Sequence, residues 1–248
     1  TKAIMAVHIY GITVDMDPLL EIAKKYDLQV IEDAAEVIGQ TYKGKACGSF
    51  GDISTFSFYP NKHITTGEGG MVMTDDPKIA ERCKSMRNLC FGKTDRFVHN
   101  QRGWNFRMSN LQAAVGVAQL ERLPQTLENK REIGRMYRKH LEECESFTLP
   151  LAQTDYCENI YWVFGIVSKD HERDAKWWMK DLANKGIGTR PFFYPMHLQP
   201  CNQISEKTLN KDPLNHSEKL AKYGFYLPSG VTLTPAQILH ICKNIHEI

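Results

Sequence analysis

The sequence predicts an α/β fold, a mainly parallel sheet flanked by helices, followed by a smaller α+β unit. Three observations predict it. Strand-like and helix-like stretches alternate from the first residues onward. A strand, a helix and a second strand fall within about 30 residues, the span of a βαβ unit and hence of parallel strands. Pro124 then divides this alternating half from a second half that opens on a long charged helix, so residues 1–124 and 125–248 read as two domains.

The elements follow in order. Ala3 to Val7 is a short apolar run, a buried strand. Asp17-Pro18 reads as an N-cap followed by proline at the first helical position. Leu19, Leu20, Ala23 and Tyr26 supply the apolar face of a helix ending near Asp27, and Leu28 to Ile31 is a second apolar strand. Asp52 to Phe58 and Met71 to Met73 are further strands, separated by a polar loop at 59–70 that holds three glycines. Pro77 opens a helix to about Arg87, residues 91–106 look irregular, and Ser109 caps an Ala-rich helix to Arg122. In the second half a charged helix runs to about Cys144, residues 160–167 form a strand, and helix 171–185 and strand 186–190 follow. Residues 199–215 are polar and loop-like. Thr234, Pro235 and Gln237 open the last helix with a capping-box pattern.

Composition narrows the classes of function. The chain has 248 residues, 42% hydrophobic and 24% charged, too apolar for disorder and long enough for one large or two modest domains. Thirty-one basic and 29 acidic residues leave a net charge of +2, which gives no reason to expect nucleic acid or an anionic membrane as partner. The longest stretch without Asp, Glu, Lys or Arg, from Tyr223 up to Lys243, is broken by Pro228, Gly230 and Pro235, so nothing reads as a transmembrane span. Seven cysteines, an odd number with no C-x-x-C, argue against a disulfide framework or a zinc ribbon and for free thiols in a reducing cytoplasm. No signal peptide is visible. Thr1-Lys-Ala, without Met, runs straight into a strand, which points to a fragment lacking its N-terminal part.

Three features converge on one sheet edge, where parallel sheets bind ligands. Glu32-Asp33-Ala34-Ala35-Glu36 leaves the second strand, and an acid there faces whatever occupies the edge; on its own it is equally a helix cap or a surface acid. Lys62 lies four residues past the Asp52 to Phe58 strand. Desolvation at that edge would lower its pKa and make it an amine nucleophile, though alone it reads better as a solvated loop lysine. The neighbouring His63 reads as exposed. Thr65-Thr66-Gly67-Glu68-Gly69-Gly70 would let backbone approach a flat cofactor, or is simply a turn; it is not a Walker loop. Together, Lys62, Asp33 and Ser57 are chemically suited to pyridoxal phosphate, which needs a lysine, a carboxylate for the pyridine nitrogen and donors for its phosphate.

Val30 to Gly48, Thr55 to Met73 and Gly103-Trp-Asn-Phe-Arg-Met-Ser-Asn-Leu-Gln-Ala-Ala-Val-Gly116 closely resemble the sugar aminotransferases of the DegT/DnrJ/EryC1/StrS family. Thr1 to Gly11 and Arg190 to His197 also fit, so the resemblance covers nearly the whole chain. It implies a fold-type I, pyridoxal-phosphate-dependent aminotransferase, with residues 1–124 the C-terminal portion of the large cofactor-binding domain and 125–248 the small domain. The implied activity is amination of a nucleotide-linked 4-keto-6-deoxy sugar with glutamate as donor. The implied setting is a cytoplasmic homodimer with shared active sites. By resemblance Lys62 is the Schiff-base lysine, Asp33 pairs with the pyridine nitrogen, and Ala35 packs on the ring. Glu36 lies near the cofactor hydroxyl or the sugar, and Ser57 donates to the phosphate. Asn105 reaches the phosphate in the neighbouring subunit, while Arg107, Arg190 and His197 contact the nucleotide sugar or the amino donor. The resemblance also implies a large domain that begins upstream of Thr1, with the Gly-Thr phosphate turn and the ring-stacking residue there. Competing readings are another keto-sugar specificity (UDP or dTDP, 3-keto), a pyridoxal-dependent deoxysugar dehydratase, and a truncated chain that only dimerises or binds sugar nucleotide. Tyr59-Pro60 and His63 resemble the dehydratase branch, but that branch carries histidine at the position held here by Lys62.

Overall fold

A computed structural model describes residues 1–92, 94–95, 97–202 and 214–247. The chain divides into two compact units, one of Thr1–Glu128 with Gln153–Trp162, the other of Asn129–Ala152 with Val163–Ile248. The sequence reading cut the chain once, after residue 124. The observed units are discontinuous, because residues 153–162 return to the first.

The first unit is built on a four-stranded sheet. β1 (Ala3–Val7) is followed by α1 (Met16–Lys25) and β2 (Gln29–Asp33), and β1 and β2 pair in parallel with Val7 opposite Asp33. A small hairpin, β3 (Thr41–Tyr42) and β4 (Lys45–Ala46), precedes β5 (Ile53–Ser57), which pairs in parallel with β2 and places Thr55 opposite Asp33. β6 (Gly70–Met73) closes the order β1-β2-β5-β6 and runs antiparallel to β5. Thus the βαβ expectation holds and the sheet is mainly parallel. β2 runs two residues beyond the apolar stretch, so Glu32 and Asp33 are strand residues with side chains on opposite faces.

α1 starts two residues earlier than the sequence suggests. Asp15, not Asp17, is the N-cap, and Asp17 lies in the first turn, bound to Lys43 at 2.6 Å. Asp15 makes no side-chain cap: its Oδ1 accepts from the Tyr42 hydroxyl at 2.7 Å, and the Tyr42 hydroxyl oxygen in turn accepts the Asp17 amide at 3.2 Å. Pro18 is tolerated because first-turn N–H groups have no intrahelical acceptor. Around this corner Ala6, Met16, Ala34, Val37, Tyr42 and Cys47 form a buried cluster, flanked by Phe50, Phe56 and Tyr156. Gly48 is obligatory there: its φ is +89°, and a Cβ would lie against the Phe56 ring.

α2 (Pro77–Met86) is capped by Asp76. α3 (Asn110–Leu120) is capped by Ser109 in a full capping box with Gln112. α4 (Leu123–Leu141) is the long charged helix.

The second unit carries an antiparallel sheet of order β7-β8-β10-β9, from β7 (Phe147–Thr148), β8 (Phe164–Ser168), β9 (Arg190–Pro191) and β10 (Gly224–Leu227). α5 (Ala175–Asn184), capped by Asp174, and α7 (Pro235–His246), capped by Thr234 with Gln237, complete it with α6 (Asn215–Tyr223). Sequence reading missed α6 and the four-residue interior strand β10. Part of the predicted 199–215 loop, residues 203–213, lies outside the described residues. Phe147, Trp178 and Phe225 pack edge to face, with Phe147–Trp178 centroids 4.7 Å apart, and Tyr137 stacks on Phe164 at 4.8 Å. All seven cysteines are free thiols, and among the described residues no helix is long and apolar enough to cross a membrane.

Lys130, on α4, is buried in this second unit and donates to the Ser229 carbonyl at 2.5 Å. Burial pushes its amine down to about 7 from the ordinary 10.5. The unfolded chain therefore binds the Lys130 proton more strongly, and stability rises as pH increases from about 7 towards 10.5, where the folded cost of the charge is lifted. Lys130→Met should raise stability at pH 7 by about 2 kcal/mol and flatten that alkaline rise. Urea unfolding of both chains across the pH range checks it; a wild-type and variant rise of equal size would refute the assignment.

Candidate active site

The site is assembled where β2 and β5 end side by side. The alternation along β2 turns Val30 and Glu32 to the buried face and Ile31 and Asp33 to the other. Glu32 is fully buried, and four donors meet its carboxylate: His8 Nε2 at 3.0 Å and the amides of Gly48, Phe50 and Gly51. The Val14 amide donates to His8 Nδ1 at 3.0 Å, which leaves the ring proton on Nε2 for Glu32. Burial alone would raise the Glu32 carboxyl, but His8 and the Gly48 and Phe50 amides outweigh it and hold it below the usual carboxylate range. Cys47 joins His8 and Glu32 in a buried His–Glu–Cys group. Both His8 nitrogens and the carboxylate are already committed, and burial drives the Cys47 thiol up to about 12, so the group fits a structural clasp and not a metal centre.

One residue on, Asp33 sits half-buried at the strand end and accepts the Ala35 amide at 3.1 Å, an Asx-type turn that bends the chain off the sheet. The turn delivers Glu36 into a buried position, where its Oε2 accepts the Tyr10 amide at 2.9 Å and its Oε1 stands 3.6 Å from Lys62 Nζ. The Lys62 side chain is only 9% exposed. Its ammonium lies 3.8 Å from the centroid of the Trp162 ring, a cation–π contact. Burial pulls the Lys62 amine below the ordinary lysine value, and the Glu36 and Asp33 carboxylates oppose that pull. Burial likewise pushes the Glu36 carboxyl up, opposed by the Tyr10 amide and by Lys62. The pair is thus a desolvated acid and base drawn towards each other in pKa, the condition under which a proton passes readily between groups.

Sequence reading thus finds Lys62, Asp33 and Glu36 together, with Ala35 on the turn between the two acids. Ser57 ends β5 two residues beyond the Thr55 that pairs with Asp33, so it stands on the same edge, and its Oγ accepts the Tyr59 amide at 3.3 Å. Asn105 and Arg107 lie in the exposed segment before α3, where Arg107 Nη2 donates to Asn105 Oδ1 at 3.5 Å. Arg190 and His197 belong to the second unit: Arg190 is exposed on β9, and His197 Nε2 lies 3.0 Å from Glu218 Oε1. His63, expected to be exposed, is buried, with Nε2 3.5 Å from the Ile160 carbonyl. Trp162, Tyr10 and the His8–Glu32 clasp were not anticipated. Trp162 is 100 residues from Lys62 in an apolar run that reads as an ordinary strand, and no local signal marks it.

The first unit thus buries a lysine at the carboxyl edge of a mainly parallel sheet, beside two acids. The DegT/DnrJ/EryC1/StrS aminotransferase family model matches residues 1–246, and the chain belongs to that family. It is 42% identical over 247 residues to GDP-perosamine synthase of Escherichia coli O157:H7, covering 100% of this chain and 65% of that protein. It is 40% identical to GDP-perosamine synthase of Vibrio cholerae, covering 99% and 66%. Among solved structures, DesV of S. venezuelae superposes with a TM-score of 0.87 at 30% identity, covering 100% of this chain and 65% of that one. Helicobacter pylori PseC, an aminotransferase involved in pseudoaminic acid biosynthesis, gives 0.90 at 26% identity, covering 100% and 66%. The chain therefore spans just under two thirds of the length of these relatives.

Glu32→Gln should cost about 3 kcal/mol, because the new amide turns a donor towards donors that a carboxylate accepted. The Glu32 carboxyl is held low in the fold, so its contribution is complete above its ordinary value of 4.5 and is lost as pH falls through the folded pKa. Acid unfolding followed by circular dichroism should show that loss in the wild type and a flatter acid limb in the variant.

Proposed function

We propose that this chain is the lysine-bearing part of a pyridoxal-phosphate-dependent aminotransferase that aminates a nucleotide-linked 4-keto-6-deoxyhexose with glutamate as donor. The observation that carries the reading is Lys62, buried between Glu36 and Trp162 and within the field of Asp33. The two GDP-perosamine synthases, about 40% identical along the whole chain, support the choice of sugar class.

The residues present fit the cofactor. Lys62 offers a desolvated amine, which burial makes a better nucleophile by destabilising its charged form. Asp33 would face the pyridine nitrogen and hold a proton there, and the Ser57 hydroxyl would donate to the phosphate. When bound, pyridoxal phosphate supplies an electron sink for the carbon beside the transferred nitrogen. Lys62 then holds and moves the proton that a transamination must shift, with Glu36 adjacent to receive or return it. Arg190, His197 and Arg107 would contact the nucleotide sugar or the donor carboxylate. Asn105 would act in a second subunit's site, which makes the working unit a homodimer. The position that the dehydratase branch fills with histidine is Lys62 here, and a lysine can both anchor the cofactor and carry the proton.

With the full-length protein, borohydride reduction in the presence of pyridoxal phosphate should fix the label on Lys62, and Lys62→Ala should abolish it; peptide mass spectrometry locates the site. Asp33→Asn should lower amino-sugar formation about a hundredfold or more while changing cofactor affinity far less. Product analysis with GDP-4-keto-6-deoxymannose and glutamate decides the reaction: an amino sugar supports the reading, and a 3-deoxy sugar alone overturns it.

Mixed Lys62→Ala and Asn105→Ala subunits should regain activity that neither variant has alone, because one site of each heterodimer then holds both wild-type groups. Absence of recovery in chains shown by native mass spectrometry to have exchanged would refute the shared site.

A further inference from the structure

We propose that Trp162 is a positioning residue for Lys62: its indole face and the Glu36 carboxylate together form a built resting place for the lysine amine whenever that amine is not covalently engaged. The inference deepens the aminotransferase reading, in which Lys62 is alternately an anchor and a free proton carrier.

Five contacts close a ring around the amine. The Lys62 ammonium lies 3.8 Å from the Trp162 centroid and 3.6 Å from Glu36 Oε1. Glu36 is fixed by the Tyr10 amide at 2.9 Å. The Tyr10 ring stacks on Trp162, centroids 5.9 Å apart and planes 28° apart. The Trp162 indole N–H donates at 2.8 Å to the carbonyl of Asn61, the residue before Lys62. A tryptophan present only to fill the core needs neither an ammonium on its face nor an indole hydrogen bond to the lysine's own chain neighbour.

The surrounding backbone is built to hold this geometry. Tyr10 and Tyr161 have φ of 56° and 44°, left-handed values that side-chain-bearing residues avoid, and such outliers concentrate at functional sites. Gly11 lies between them with φ +96°, and a Cβ there would meet Asn159 Oδ1 and the Tyr161 and Trp162 amides within 3 Å. Gln40, buried, donates through Nε2 to both the Gly11 carbonyl at 2.8 Å and the Glu158 carbonyl at 2.6 Å, tying the two loops together. The carboxylates of Glu36 and Asp33 are the charges acting on the amine, both from the end of β2, while His63 turns to the Ile160 carbonyl. A lysine released on its flexible four-carbon stem would otherwise sample many rotamers. The ring of contacts returns it to one place and one orientation.

The test measures the Lys62 amine directly, in the full chain without cofactor or substrate. Its outcome is therefore independent of whether the protein proves to be an aminotransferase, which the borohydride and product experiments decide. Reductive methylation with formaldehyde and cyanoborohydride is pulsed across a pH series, and peptide mass spectrometry compares Lys62 with exposed Lys24. Growth on tryptophan, fluorotryptophan and difluorotryptophan weakens the electrostatic face of the ring with little change of shape. The labelling midpoint of Lys62 should fall stepwise with fluorination, by about one pH unit in all, so labelling at fixed acidic pH rises about tenfold. Trp162→Phe should abolish the fluorination dependence, leaving the other tryptophans as controls. Glu36→Gln should lower the midpoint further. A midpoint that does not move with fluorination, or that moves equally in Trp162→Phe, overturns the proposal.

Discussion

The buried Glu32 carboxylate is the constraint on which the first unit turns. A full negative charge at zero exposure is tolerated only because His8 and three backbone amides converge on it, and those donors come from the loop after β1 and the chain between β4 and β5. Removing any one partner would leave charge or donor unsatisfied, so the clasp holds β1, β2 and the 48–51 turn in register. That register decides where Asp33 emerges, since a strand places consecutive side chains on opposite faces. Glu32 inward therefore means Asp33 on the face that meets Lys62's field.

At Lys62 two opposing effects are balanced. Burial favours the neutral amine, while Glu36 and Asp33 favour the ammonium, and the net displacement is downward. Had the lysine been solvated, no desolvation would act on its amine and its charged form would keep its full hydration. Lys130 in the second unit is buried as well, and desolvation drives its amine to about 7. The contrast between the two buried lysines shows that burial alone does not make a site. Acids on a turn, an aromatic face and a strand edge must be placed around it.

The discontinuity of the first unit explains how that placement is achieved. Residues 153–162 belong to the sheet unit, where Gln40 and Gly11 receive them. Closing that loop costs chain entropy, which the contacts made at its end must offset. The segment is held by the Gln40 amide on the Glu158 carbonyl, by the Ile160 amide on the Gly11 carbonyl and by burial of Ile160, Tyr161 and Trp162. The contact of Trp162 with Lys62 is the end product of that closure.

Much was legible from residue patterns alone. The βαβ opening, the Ser109 and Thr234 caps and the Asp33–Lys62 grouping rest on local chemistry: apolar runs, cap residues and acids at a strand end. Other features were not. The start of α1 lies at Asp15 and not at Asp17, in a corner where the Tyr42 hydroxyl, 25 residues from Asp17, bonds both the Asp15 carboxylate and the Asp17 amide. β10 was hidden because a four-residue strand carries little periodicity, and its place between β8 and β9 depends on partners elsewhere in the chain. The sequence by itself determined the elements and the chemical types at the sheet edge, because helix caps and strand alternation act over a few residues. Only the tertiary structure decided that Glu36 and Trp162 enclose the lysine, because desolvation and a cation–π contact exist only once distant segments exclude water from the same few ångströms.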